Sequence, residues 1–150
     1  MLMECRVRFV VTEDFSQWAT LWKGYNFFYG RDALPAEITQ MTWNRFFDNH
    51  EPVHAMVVER GSQLLGLAHY LFHRSTIALE TVCYMQDLFT HESARGQGVG
   101  RMLIEAVYQE ARIAGSHRVY WQTHESNTVA RKLYDNVAEL SGFIVYRKQL

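Results

Sequence analysis

Cysteine is scarce in this sequence: Cys5 and Cys83 are the only two in 150 residues. They are too few and too far apart for a disulfide framework, and neither C-x-x-C nor a Cys/His ligand cluster occurs, so both are expected as buried thiols. An excess of one charge is missing too. The net charge is −1 at pH 7 with Lys and Arg scattered, which removes the broad basic face that nucleic-acid binding draws on. No apolar run approaches the roughly 18 residues of a membrane-spanning helix. Glu4, Arg6 and Arg8 interrupt the N-terminal stretch where a secretory leader would need an unbroken apolar region, so the cytoplasm is the expected address. Two common nucleotide loops are absent: G-x-x-x-x-G-K-[ST] occurs nowhere, and G-x-G-x-x-G fails because Arg101 stands where a third glycine should follow Gly96 and Gly98. His54, His69 and His73 fall in strand-like stretches without metal-ligand spacing and are assigned no chemistry. The segments beginning His91-Glu92-Ser93 and His124-Glu125-Ser126 lack the second histidine of H-E-x-x-H, and no metal site is expected.

What is present suits one soluble α/β domain over residues 1–150. The hydrophobic content is 48% and the charged content 21%, and a chain of this length buries about two thirds of the surface its unfolded form exposes. Cys5 to Thr12 reads as a first strand, and Asp14 with Gln17 three residues on reads as a helix N-cap. The helix from Phe15 to about Tyr29 carries Trp18, Trp22, Tyr25 and Tyr29 on one stripe. Packing accounts for most of that stripe, but the Tyr25 and Tyr29 hydroxyls need partners when buried, which makes these two residues candidates to line an acceptor cavity. Pro35 opens a second helix reaching to about Asn49. Val53–Glu59 and Leu64–Phe72 flank the turn-sized joint of residues 60–63 as an antiparallel hairpin, and a third strand begins near Thr81.

The stretch Met85–Arg101, MQDLFTHESARGQGVGR, is the most informative. Its start reads as a strand and its end opens an amphipathic helix at Val99 with Met102, Leu103, Ala106, Val107 and Ile113 on the apolar side. Between them, Gly96, Gly98 and Gly100 strip side chains from alternate positions where a helix begins. The first N–H groups of a helix have no intrahelical partner and sit at the positive end of its dipole, so an anion such as a pyrophosphate fits there; Arg95 and Arg101 add full charges. Gly115 and Ser116 close the helix and residues 117–123 form the next strand, a strand–helix–strand unit that favours parallel neighbours. In a last helix, Val129, Leu133, Val137 and Leu140 gather on the face expected to meet the sheet. Asn127 and Tyr134, two turns apart and about 20° from one another around the axis, form a separate stripe with the small Ala130 between them. After Gly142, residues 143–146 read as an end strand whose unpaired edge invites a partner, and a homodimer is expected.

Arg95-x-x-Gly98-x-Gly100 between a strand and a helix, followed about 30 residues on by Asn127-x-x-Ala130-x-x-Leu133-Tyr134, resembles the two halves of the acyl-CoA site of the GNAT superfamily of N-acyltransferases. Residues 121–135 are similar in particular to the branch of yeast histone, polyamine and D-amino-acid acetyltransferases and its bacterial relatives. The resemblance implies a mixed, V-shaped sheet flanked by helices, with the fourth and fifth strands splayed to admit pantetheine. It implies acetyl-CoA as cosubstrate and an amine as acceptor. The backbone of Leu88, Phe89 and Thr90 would pair with the pantetheine and thioester. The amides of Gly96, Gln97, Gly98, Val99, Gly100 and Arg101 would hold the pyrophosphate, with Asn127 on the pantetheine arm and Ala130 leaving it room. A degenerate domain that binds acyl-CoA without turnover is the competing reading, against which an intact loop and Tyr134 in register with Asn127 both speak.

The expected chemistry is direct attack of the amine on the thioester. A primary amine has a pKa of about 10.4 and is almost wholly protonated at pH 7, so a group must take its proton before it can attack. The departing thiolate belongs to a thiol of pKa roughly 8.5, and a phenol beside the sulfur can protonate it. Tyr134 matches the family's general-acid tyrosine. Asp87, on the strand beside the thioester, ranks first as the base or as a carboxylate that binds the amine's positive charge; Glu80, Glu125 and a water chain are the alternatives.

Overall fold

The computed structural model describes residues 3–150. Met1 and Leu2, which open the N-terminal stretch read above against a leader, lie outside the described residues. Five strands, β1 (Cys5–Phe9), β2 (Val53–Arg60), β3 (Gln63–Arg74), β4 (Thr81–Thr90) and β5 (Val119–Tyr120), form one sheet in sequence order. The first four pair antiparallel and β5 joins β4 in parallel, as the strand–helix–strand unit requires. Helices α1 (Phe15–Phe28) and α2 (Ala36–Arg45) cover one face, and α3 (Val99–Ile113) covers the other, while α4 (Thr128–Val137) follows β5. The mixed α/β sheet expected above is the one observed. Among the described residues no helix is long and apolar enough to cross a membrane.

β3 lies at the centre because both of its faces are apolar, and a register shift against β2 that leaves Leu65 as an extra residue turns Leu65 and Leu67 to opposite faces. Leu65, Ala68 and Tyr70 enter the core under α3, and Leu64 and Leu67 enter the aromatic core under α1 and α2, where Trp18, Trp22 and Trp43 are buried. Gly66 sets how close α3 can come. A methyl group there would stand 2.8 Å from the Phe89 carbonyl oxygen and 2.8 Å from Val99 Cγ1, so the missing side chain seats the first turn of α3 directly against the end of β4.

Several expectations need correction. Asp14 does not cap α1 with its side chain. Its carboxylate accepts from the Val11 N–H at 2.9 Å and pairs with the Arg8 guanidinium at 2.6 and 2.9 Å, while Gln17 turns to the hairpin joint, donating to Ser62 O and accepting from the Leu64 N–H. Cys83 is buried, its thiol pushed up to about 11 by burial, but Cys5 is only half-buried. Ile113 is exposed and Ala111 takes its place in the core, because Leu103, Val107 and Ala111 follow the i+4 row that meets the sheet. The strand expected at 117–123 shrinks to Val119–Tyr120 because β4 pairs with it only through Cys83 and Tyr84. Helix α4 stops at Val137, whose carbonyl accepts from the Tyr108 hydroxyl at 2.8 Å, so Leu140 lies beyond it and is exposed. Val129 is 79% exposed rather than turned to the sheet. Residues 143–146 form no strand and pair with neither edge of the sheet; Phe143 is 89% exposed.

Candidate active site

Strand β4 does two things that its sequence hides. Its pairing to β5 ends at Tyr84↔Tyr120, so the edge of residues 85–90 that faces away from β3 has no strand partner among the described residues. This is the opening of the V. It also carries a β-bulge: Tyr70 faces Met85 while His69 faces Asp87, which leaves Gln86 as an extra residue. Residues two apart on a regular strand share a face. The bulge breaks that rule, so Met85 enters the core under α3 while Asp87 turns to the α1 face and bonds to His69.

A cavity of about 530 Å³ occupies the opening. The unpaired end of β4 (Leu88, Phe89 and Thr90) forms one wall, and residues 94–101, apart from Gln97, form the floor. Asn127 at the N-cap of α4 and Ala130 and Tyr134 within it make up the far wall together with Val129 and Leu133, and the end of α1 closes the remaining side with Tyr25, Phe28 and the C-cap Tyr29. The two sequence stretches that looked functional thus meet across one space. Gln97 is the exception in the loop: its side chain turns away, accepting from Arg60 at 2.9 Å and donating to Ser93 O at 3.0 Å, so only its backbone faces the problem of an anion.

The loop is built for that problem. Gly96 and Gly98 have φ of 73° and 83°, in the left-handed region, and a Cβ at either would meet nothing within 4 Å. The helical ladder of α3 opens with Met102 N–H donating to Gly98 O at 3.0 Å, leaving the amides of Val99, Gly100 and Arg101 ahead of it in the first turn, where a helix supplies no partner. Together with the Arg95 and Arg101 side chains these amides fit a pyrophosphate. The bare edge of β4 fits an extended amide-bearing arm, so the residues present fit acetyl-CoA. Asn127 donates to Thr123 Oγ1 at 3.2 Å, which holds its amide at the start of α4.

Titrating groups gather at the α1 end. Burial, with the Tyr29 phenol nearby, pushes Tyr134 up to about 12, and its ring stands edge-on to Trp121 at 5.4 Å. Tyr25 is raised further, first by burial and then by the charge of Asp87, which its hydroxyl faces. Tyr29 is raised by burial against the opposing charge of Arg31, whose guanidinium lies 5.5 Å from the Tyr25 ring centre and 5.3 Å from that of Tyr29. Asp87 itself sits just behind the lining, 9% exposed. Glu80 and Glu125 are exposed and outside the lining.

Sequence reading missed Phe28, Leu133, Arg31 and His69. Leu133 belongs to the same N-x-x-A-x-x-L-Y stretch and was there to be read; Phe28 and Arg31 follow from where α1 ends. His69 had one signal, a histidine flanked by apolar residues on a strand buried on both faces. His91 and His124, set aside as metal ligands, do a local job: the Nδ1 of each accepts the N–H of the serine two residues on, at 3.2 Å. Among the described residues no group of three or more His, Cys, Asp or Glu side chains could hold a metal ion.

Comparison with known proteins agrees with this geometry. The family model described as acetyltransferase (GNAT) matches residues 15–138. A D-amino-acid N-acetyltransferase of Saccharomyces cerevisiae is 37% identical over 95% of this chain and 89% of that protein. An uncharacterized N-acetyltransferase of Bacillus subtilis is 28% identical over 93% of this chain and 94% of its own length. An aminoglycoside N-acetyltransferase solved in complex with CoA superimposes with a TM-score of 0.82 at 18% identity, covering 99% of this chain and 97% of that one, a likeness of fold. The chain therefore belongs to the acetyltransferase (GNAT) family and is an acetyl-CoA-dependent N-acetyltransferase.

Proposed function

We propose that this protein acetylates small primary amines within one catalytic domain, by direct attack on the thioester, with Tyr134 assisting the departing sulfur and Asp87 receiving the amine. The observation that carries the reading is the single cavity that joins the bare edge of β4, the glycine loop and Tyr134, with the Asp87 carboxylate immediately behind it. When bound, acetyl-CoA supplies an electrophilic carbonyl and a thiol leaving group. Backbone groups of Leu88, Phe89 and Thr90 align it, the amides from Gly96 to Arg101 with Arg95 hold its pyrophosphate, and Asn127 and Ala130 flank its arm. Asp87 draws the ammonium in and takes its proton, the nitrogen bonds to the carbonyl carbon, and the C–S bond breaks as charge moves to sulfur.

Magnitudes define the part played by Tyr134. Complete transfer from a phenol at about 12 to a thiolate whose thiol has a pKa of roughly 8.5 is uphill by about 5 kcal/mol. Tyr134 therefore donates a hydrogen bond to the sulfur as charge develops, and the proton that the attacking nitrogen loses on becoming the amide passes to the thiolate to complete the balance. For the acceptor, Tyr25, Tyr29 and Phe28 form an aromatic wall, and the Arg31 guanidinium beside it suits an acceptor carboxylate. The yeast relative is named for D-amino acids, so these are the first acceptors to test. Released thiol should be highest with D-amino acids and lower with their amides, which lack the carboxylate; equal rates with both, or turnover confined to peptide lysines, would overturn this acceptor class. The protein is proposed to act as a homodimer through its apolar C-terminal segment.

A further inference from the structure

Directly across the sheet from Asp87, on β3, His69 is 1% exposed and boxed by aromatic rings. Phe46, Trp22 and Trp18 stand 4.7, 5.2 and 5.9 Å from its ring centre. Both of its nitrogens are committed. The indole N–H of Trp18 can only donate, and it does so to His69 Nε2 at 3.0 Å. Nε2 must then keep its lone pair, so the ring proton resides on Nδ1, which donates to Asp87 Oδ2 at 2.9 Å.

We propose that Trp18 and His69 form a tautomer lock that orients Asp87, making His69 a positioning residue for acetyl transfer. Protonating His69 would put an N–H on Nε2 against the indole N–H, two donors face to face in a box that water does not reach. Turning the ring to the other tautomer would cost both hydrogen bonds. His69 is thus held as an Nδ1 donor, and Asp87 as the acceptor whose carboxylate it orients. The other groups around Asp87 do not compete. Tyr25 and Tyr29 on α1 and Tyr84 on β4 are all raised, by burial first. Arg31 lies beyond the Tyr25 and Tyr29 phenols, and the end of α2 brings up only uncharged rings, Phe46 at its C-cap against His69 and Trp43 against Trp18. The lock also explains why a histidine, rather than an apolar residue of similar size, stands in the interior of an otherwise apolar strand.

This inference rests on Asp87 being the carboxylate that receives the amine, and the tests separate the two claims. In ¹⁵N spectra of the labelled wild-type protein at about pH 7.5, His69 is expected to show a protonated Nδ1 and a bare Nε2; an Nε2–H tautomer overturns the lock. His69→Leu removes the donor to Asp87. Its kcat is expected to fall about 10- to 100-fold with acetyl-CoA affinity unchanged, and the acid limb of its kcat/KM profile for the amine to move up by about one pH unit, because a carboxylate that loses a donor holds its proton more tightly. His69→Asn, which can donate from near the Nδ1 position, should restore most of the rate and the original limb. Trp18→Phe keeps a ring but frees Nε2, and the Nε2–H tautomer should then appear in the ¹⁵N spectra. A folded His69→Leu protein with parental kcat and an unmoved limb refutes the positioning role; should that variant not fold, the wild-type spectra and Trp18→Phe decide. Asp87→Asn is the control. If it retains full turnover, the role proposed for Asp87 fails; if it is inactive while His69→Leu is indifferent, only the lock fails.

Discussion

Tyr134 is a phenol whose hydroxyl is useful only while it keeps its proton. Burial raises it to about 12, so its neutral form persists below that pH and no loss of activity belongs to it as pH climbs through the ordinary tyrosine value of about 10. The kcat profile is therefore expected to stay level to about pH 10.5, measured with an acceptor amine already neutral there; an alkaline limb near 10 that disappears in Tyr134→Phe would contradict the assignment. The same substitution keeps the ring and deletes one hydrogen-bond donor. It should lower kcat by about 10²-fold or more while acetyl-CoA affinity, followed by calorimetry, moves little. Parental turnover in that variant would reduce Tyr134 to cavity lining.

At the scale of elements, the site depends on the meeting of α3 with the end of β4. Valine at Gly98 would have to adopt a φ of 83° and would project into the space proposed for the pyrophosphate. Gly98→Val is expected to fold yet bind acetyl-CoA at least tenfold more weakly, about 1.4 kcal/mol; unchanged affinity in calorimetry would take the loop out of the binding site. Gly66→Ala tests the other side of the junction. Its methyl group would lie 2.8 Å from a backbone oxygen and 2.8 Å from Val99, and the oxygen belongs to a paired strand that cannot easily yield. A loss of about 1–3 kcal/mol is expected in urea unfolding, as for other overpacked cores. A midpoint equal to that of the parent would show that α3 can retreat at no cost.

For the whole molecule, the open question of assembly lies at the β5 side of the sheet. β5 has two residues and a free outer edge, and beside it a second cavity opens between the end of α3, residues 116–119 and Ala138. Phe143, Ile144, Val145 and Tyr146 are all exposed, four apolar side chains in a row, and exposed apolar surface of this kind marks an association site. Exchange of these segments between two copies would cover both the edge and the apolar side chains. Sedimentation should therefore give a dimer, and the double substitution Phe143→Asp with Val145→Asp should give a monomer of lower thermal stability. A monomer mass that does not change with concentration would reject the dimer.

Features set by neighbours along the chain were legible from the start. The aromatic stripe of α1, the glycine loop that opens α3 and the Asn127–Ala130–Tyr134 line of α4 each depend on contacts within a few residues, so periodicity and turn chemistry suffice to read them, and all three line the cavity or pack beside it. What depends on partners far along the chain was not legible. The bulge at Gln86 exists only in the register of β4 against β3, yet it decides which face Asp87 takes. β5 is cut to two residues because β4 diverges from it, and whether residues 143–146 pair depends on where the chain after α4 runs relative to the sheet's edges, which no local pattern encodes. His69, Trp18 and Asp87 lie 51 and 18 positions apart in sequence, and nothing local to any of them encodes the other two. Composition and local pattern thus determined most of the elements and the cosubstrate loop, while the register of β3 against β4 and the packing of α1 and α4 around the open edge brought the titrating groups together, because those contacts join residues far apart along the chain.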